Sequence, residues 1–385
     1  METILEELDL KSKIGEAIQL DYPLMNASGC KCTTPDELDA LNVTESLGGI
    51  VTKTCTLEPR VGNPSPRYWT DGPTSINSMG LPNEGIDNYI DYIISTRTTT
   101  SNYKRRKMDR QDVKTKTGFG KSINLYNKPL IISIGGLSLD ENMKIINRYL
   151  SDNYTYSLTT AFGHQDNLHG HLDGTDIHNV LGAKGLEFNL SCPNIIGKGQ
   201  LGNDFESFDN YLSKIFETDL SSIKKSDLAI GLKLPPYYEL KDFEIVRDIL
   251  FKYPRLDYIT TVNSIANGLI INIDTEKPVI VPKHGIGGIG GNVILPTALS
   301  NVFNFNKQLN GKLDIIGCGG VISGRDVFKH ILCGASCVSI GTALQNYGTN
   351  IFSKVTSELQ ELMIDKKYKS IGEFKGKLEP LYESV

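Results

Sequence analysis

The chain lacks any apolar run near the roughly 18 residues that a membrane-crossing helix requires. Its start, Met1 to Lys13, is acidic, so it shows no basic region leading into an apolar stretch. The expectation is a soluble, unexported, cytoplasmic protein with no membrane partner. Positive charge is not in surplus either: 40 basic residues stand against 45 acidic ones, a formal net charge of -5. A pI of about 5.8 removes any global argument for nucleic-acid binding. Cysteine is sparse and odd in number, with seven residues (Cys30, Cys32, Cys55, Cys192, Cys318, Cys333, Cys337). That excludes a compact disulfide framework and fits reduced thiols. Cys30-x-Cys32 and Cys333-x3-Cys337 each lack a second ligand pair, so no metal is expected. No solenoid repeat is present.

What is present is ordinary globular composition: 385 residues, 39% hydrophobic and 22% charged, read as one domain over 1–385. Short apolar runs ending in polar residues alternate with segments of helical period. The runs are Pro23 to Gly29, Gly49 to Thr56, Pro129 to Leu137, Gly185 to Asn194, Leu228 to Pro236, Tyr258 to Ser264, Leu313 to Val321 and Cys337 to Leu344. Continuous rather than alternating apolar strands indicate a parallel sheet covered on both faces. Eight of them predict an α/β fold, a (β/α)8 TIM barrel. Helices are predicted at Pro35 to Leu41, Glu84 to Ser95, Asp140 to Leu150, Phe205 to Glu217, Leu240 to Lys252, Leu295 to Phe303, Gly324 to Leu332 and Ile351 to Ile364. Asp140 reads as an N-cap, and Ser323-x-x-Asp326 resembles a capping box.

Two segments break the rhythm and read as insertions on helix-side loops. Residues 97–128 carry ten basic and two acidic side chains, a local charge of +8 that leaves -13 on the remainder. Residues 151–182 are rich in His, Asn and Asp and hold His164, His169, His171 and His178. Their Asn, Asp and Gly content is that of a surface loop rather than a metal site.

In a parallel barrel, chemistry gathers at the carboxyl ends of the strands. Asn77, Asn83, Asn189, Asn194 and Asn263 are expected to converge there with Lys53, Lys233 and Cys192. An amide carries donors and an acceptor, so several around one pocket suit a planar ligand with alternating C=O and N–H groups. The glycines of Gly285 to Gly291, Gly317 to Gly320 and Gly341-Thr342 offer free backbone N–H groups near the last strands. Such groups cradle an anion, and a phosphorylated cofactor follows. No G-x-G-x-x-G follows an early strand, so a Rossmann site is not expected. A lysine at a strand end needs a compensating charge, which a reduced flavin, a phosphate or a carboxylate can supply.

Asn26-Ala-Ser-Gly29, Lys53-Thr-Cys-Thr56, Gly62 to Arg67, Asn77 to Asn83, Asn189 to Asn194, Lys233 to Tyr237, Asn263-Ser264 and the late glycine motifs together resemble class 1 dihydroorotate dehydrogenases, nearest the fumarate-using class 1A. The resemblance implies a cytosolic homodimer with FMN at the barrel mouth that oxidises dihydroorotate to orotate in pyrimidine synthesis, with fumarate passing to succinate. It implies that Cys192 is the catalytic base. Lys53, Asn77, Met79, Gly80, Leu81, Asn189, Asn194, Asn263 and Ser264 match its substrate positions. Ala27, Ser28, Lys53, Thr54, Lys233, Gly291, Gly319, Gly320, Gly341 and Thr342 match its cofactor positions. The NAD-linked class 1B, another FMN-dependent pyrimidine oxidoreductase and a non-catalytic phosphate-binding barrel are the alternatives. The family pattern Gly-Lys-Pro-Gln is here Gly197-Lys-Gly-Gln200, which frees the loop that a proline would stiffen.

Overall fold

The computed structural model describes residues 8–93, 128–162, 183–191, 199–379 and 381, with the side chains of 152–162 excluded. Eight parallel strands form the barrel: β1 (Leu24–Asn26), β2 (Ile50–Val51), β3 (Leu130–Ile134), β4 (Ala183–Asn189), β5 (Ala229–Lys233), β6 (Tyr258–Thr261), β7 (Asp314–Cys318) and β8 (Cys337–Ile340). Their order is β1-β8-β7-β6-β5-β4-β3-β2, and a parallel bridge between Met25 and Gly49 brings the two ends together. Seven of the eight predicted runs contain one of these strands whole, and the eighth, Gly185 to Asn194, overlaps β4, which begins two residues earlier at Ala183.

Adjacent residues in the strands explain why the runs are continuously apolar. Leu24, Ile50, Ile132, Ile230, Ile259, Ile315 and Val338 belong to the large core between sheet and helices. Their neighbours Met25, Val51, Ile131, Ala229, Tyr258, Ile316 and Cys337 fill the barrel interior. A strand buried on both faces has no polar alternation to display. The antiparallel pair Ser12–Ile14 and Ile18–Leu20 adds Ile14, Ile18 and Leu20 to that inner cluster and seals the barrel floor. These three-residue strands are too short to carry a readable pattern.

The helices are α1 (Pro35–Asn42), α2 (Leu139–Phe162), α3 (Phe205–Phe216), α4 (Leu240–Phe251), α5 (Leu295–Leu309), α6 (Gly324–Cys333), α7 (Thr342–Tyr347) and α8 (Asn350–Asp365), and residues 85–93 are helical as well. The α2 start corrects the Asp140 expectation. Ser138 caps it, its Oγ accepting the Glu141 N–H at 3.1 Å, while Asp140 pairs with Lys144 on the surface at 2.8 Å. The Ser323 cap on α6 stands as read, accepting from the Asp326 N–H at 3.3 Å. Helix α2 also runs on to Phe162, so the first part of the 151–182 segment is helix rather than loop. The first glycine after Leu150 is Gly163, and nothing before it stops the helix. The four histidines named above and residues 97–127 lie outside the described residues.

A second, antiparallel sheet of Ile265–Leu269, Ile286–Gly291, Thr74–Asn77 and Tyr68–Thr70 covers the barrel mouth. Its glycines let other side chains approach. A Cβ on Gly288 would stand 2.2 Å from the Ser264 Oγ.

Candidate functional site

The carboxyl ends of the strands and the underside of the cover sheet enclose a cavity of about 290 Å³. Of the expected site residues, Cys192 and Asn194 lie outside the described residues and Asn83 stands away from the cavity; the others line it: Ala27, Ser28, Lys53, Thr54, Asn77, Met79, Gly80, Leu81, Asn189, Lys233, Asn263, Ser264, Gly291, Gly319, Gly320, Gly341 and Thr342. The strand-end rule gathers the residues from β1, β2, β4 to β8 and their following loops.

One wall is a chain of hydrogen bonds. Ser28 Oγ lies 3.1 Å from Thr54 Oγ1, which accepts from Asn189 Nδ2 at 3.2 Å. Asn189 Oδ1 takes the Ser191 N–H at 3.2 Å and faces the Asn263 amide at 3.4 Å. Asn263 Nδ2 also donates to Ser191 Oγ at 2.8 Å. The amides therefore form a wall fixed by its own bonds, which is how a site holds a planar ligand in register. From the cover sheet, Asn77 Nδ2 donates to the Gly288 carbonyl at 3.2 Å. Asn83 does not join them. It is buried, its Oδ1 accepts the Gly85 N–H at 2.8 Å, and its Nδ2 bonds Thr56 Oγ1 at 2.9 Å, so it braces a turn.

Lys53 and Lys233 are 7% and 5% exposed. Gly29 leaves room for the first, since a Cβ there would stand 3.3 Å from Lys53 Nζ. Burial opposes the charge on Lys233, but neighbouring Cys318 and Glu187 outweigh it and hold its pKa above the ordinary value. Glu187, on the same strand as Asn189, is raised by its own burial against the pull of Lys233 and a 2.6 Å bond from Thr260 Oγ1. The cavity thus presents a lysine cation from beneath.

The glycine readings divide. Gly319 and Gly320 follow β7 with φ of 125° and 82°, and Gly341 precedes α7, all three at the cavity as expected. The Gly285 to Gly291 run is instead mostly a cover-sheet strand, with Gly290 and Gly291 at the cavity. At Gly320 the chain passes so close to α5 that a Cβ would lie 2.4 Å from the Leu295 Cβ and 2.5 Å from its Cα. Gly320→Ala should therefore lower unfolding stability by roughly 1–3 kcal/mol in urea titration, combining positive-φ strain with a backbone clash. An unchanged midpoint would show that the loop relaxes freely. At Gly80, with φ of 72°, a Cβ would meet Asn63 Oδ1 at 2.3 Å.

Tyr68, Ser75, Cys30, Cys318 and Gln345 also line the cavity and were not singled out from sequence. Ser75 Oγ lies 2.9 Å from Thr342 Oγ1, tying the cover sheet to α7. Burial raises the Cys30 thiol despite Lys53 and Lys233, so it stays protonated. Cys32 is structural: its Sγ accepts the Gly29 N–H at 3.2 Å, and burial pushes it up to about 12. Among the described residues no three His, Cys, Asp or Glu side chains gather as metal ligands.

Fold and cavity together define an α/β-barrel enzyme with a glycine-loop cradle beside buried lysines and an amide wall. The dihydroorotate dehydrogenase family model matches residues 10–157 and 176–363. The unmatched residues between fall within the 151–182 segment, whereas 97–128 lies inside the matched range. The chain is 41% identical over 362 residues to the dihydroorotate dehydrogenase (fumarate) of Kluyveromyces lactis, covering 94% of this chain and 95% of that protein. It is 39% identical over 365 residues to the enzyme of the same description from Trypanosoma brucei brucei, covering 94% and 96%. A ligand-free DHODH structure from Eimeria tenella superposes with a TM-score of 0.67 at 18% identity, covering 96% of this chain and 91% of that one, which speaks to the fold. The chain belongs to the dihydroorotate dehydrogenase family.

Proposed function

We propose that this chain oxidises dihydroorotate to orotate in pyrimidine synthesis, with FMN as cofactor and fumarate as the electron acceptor. The observation that carries the reading is the meeting of two buried lysines, an amide wall and a glycine-loop cradle in one cavity. Family membership supports the substrate, and the fumarate-linked descriptions of the relatives support the acceptor.

The residues fit a flavin mononucleotide. The Gly319–Gly320 and Gly341–Thr342 backbones suit its phosphate, and Lys233, held cationic from below, suits the negative charge of its reduced ring. Bound FMN would supply the hydride acceptor. The chain's own groups do the rest. Asn77, Asn189, Asn263 and Ser264 orient the pyrimidine, and Lys53 stands where cofactor and substrate meet. Cys192 is assigned as the base, taking the proton from C5, beside the C4 carbonyl. Ser191, immediately before it, is anchored by Asn189, by Asn263 and by a 3.3 Å bond from its Oγ to the Lys233 carbonyl. The same thiol can return a proton when fumarate becomes succinate in the shared site.

A homodimer is part of the reading. Leu269, Ile271, Ile273 and Val281 are exposed on and beside the cover sheet. A second copy of the chain would cover such a face. Free thiols at every described cysteine fit a cytoplasmic enzyme.

The purified protein should be yellow, release FMN on acid treatment, bleach with dihydroorotate under anaerobic conditions and regain colour with fumarate. A colourless protein, FAD in place of FMN, or reoxidation by NAD and not by fumarate would overturn the reading.

A further inference from the structure

His330 lies on α6, outside the barrel wall, and is fully buried at 0% exposure. It does not line the cavity, and among the described residues no acidic side chain lies within ion-pair range of it. Its Nε2 is 3.0 Å from the Gly319 carbonyl oxygen, while its buried Nδ1 has no hydrogen-bond partner among the described residues. A ring with one orphaned nitrogen is best satisfied as the neutral tautomer that carries its proton on Nε2. Burial lowers its pKa to about 4 against the opposing pull of the Gly319 bond, so the ring is neutral in the working range. Gly317 makes room for it: a Cβ there would stand 2.5 Å from Nδ1.

The consequence lies on the far side of one peptide plane. In a trans peptide the C=O of one residue and the N–H of the next point in opposite directions. Holding the Gly319 carbonyl toward His330 therefore turns the Gly320 N–H the other way, toward the cavity that both glycines line. That N–H has no acceptor among the described residues. The next carbonyl is pinned too, Gly320 O accepting from Asn292 Nδ2 at 2.6 Å. Two side chains from different elements thus fix two successive peptides of a loop that glycine alone would leave free.

We propose that His330 is a positioning residue for the phosphate cradle: its bond to the Gly319 carbonyl aims the Gly320 N–H at a phosphate oxygen of the bound cofactor. The inference rests on the FMN reading above and adds to it which peptide meets the phosphate and what aims it.

The test compares FMN with riboflavin, which has the same ring and no phosphate. Cofactor-free protein is titrated with each, following quenching of flavin fluorescence. His330→Met fills the space without a donor and should weaken FMN binding by about 10- to 100-fold, the usual worth of a hydrogen bond to a charged group. Riboflavin binding should not change. His330→Gln, which can place an amide N–H near the same carbonyl, should recover most of the loss. Equal losses for both flavins, no loss for FMN, or failure of the Gln variant to recover would overturn the proposal. Wild-type protein that binds neither flavin would overturn the FMN reading itself. Should His330→Met not fold, the unmutated protein decides: the Gly320 amide NMR signal should shift with FMN and not with riboflavin, and equal responses would refute the proposal.

Discussion

Cys192→Ala slows flavin reduction by dihydroorotate by about 100- to 10,000-fold, the usual contribution of a positioned base, while FMN content and orotate affinity hold. The two halves of this result follow from separate parts of the chain. The glycine loops, Lys233 and the amides of Asn189 and Asn263 stand on strands and their ends, and the two amides are held by bonds to Ser191 and Thr54. Binding should therefore survive removal of the thiol. The proton at C5 is a different matter: an amide is no base, and Lys233 is held as a cation, its pKa above the ordinary value because Cys318 and Glu187 outweigh the burial that opposes its charge. Cys192→Ser should retain more activity than Cys192→Ala, rising with pH, since a hydroxyl is a far weaker acid than a thiol, which titrates near ~8.5. Reoxidation by fumarate should slow as well, because the same group returns a proton. The measurement is anaerobic stopped-flow at the flavin absorbance. Reduction of the Cys192→Ala flavin at the wild-type rate would remove Cys192 from the mechanism.

The barrel was legible because each strand is apolar on both faces, as at Ile131 and Ile132 or Ile315 and Ile316, where one residue faces the helices and its neighbour the interior. The site was legible through one topological rule, that polar residues ending such strands share a mouth. Apart from Cys318, a thiol that ends β7, what the rule missed does not sit at strand ends. Tyr68 and Ser75 come from cover-sheet strands only three and four residues long, and Gln345 from the short α7. The Gly285 to Gly291 run looks like a loop in sequence because glycine is permissive. Here its missing side chains serve close packing instead, as Ser264 against Gly288 shows. Asn83 misled for the opposite reason: an asparagine near the mouth also suits a turn, and its amide is consumed by Thr56 and Gly85. His330 could not be found from sequence, because its role depends on a peptide on another element.

Asn26→Ala should destabilise the fold by roughly 2–5 kcal/mol, because this side chain completes the barrel where the backbone ladder is thinnest. Between β1 and β2 the described contacts are the Met25–Gly49 bridge, with the Gly48 N–H bonded to the Leu24 carbonyl at 2.8 Å. Further along, the Asn26 amide stands in for a strand. Its Oδ1 accepts the Val51 N–H at 2.9 Å and its Nδ2 donates to the Val51 carbonyl at 2.7 Å. Asn26 is fully buried and Val51 nearly so, so no water replaces either bond after truncation. Each orphaned backbone group then costs about 1–3 kcal/mol. Asn26→Asp should be at least as harmful: a carboxylate can accept from the Val51 N–H but faces the Val51 carbonyl with no proton to offer, and its charge is buried. The seam also sets the cavity, since Ala27 and Ser28 follow Asn26 and Lys53 follows Val51 by two residues. Loss of stability in urea should therefore be accompanied by weaker FMN retention, and FMN in excess should restore part of the midpoint by mass action. A shift below about 1 kcal/mol in Asn26→Ala would mean that the neighbouring strands hold the seam without the amide, and that Asn26 is kept for something other than closure.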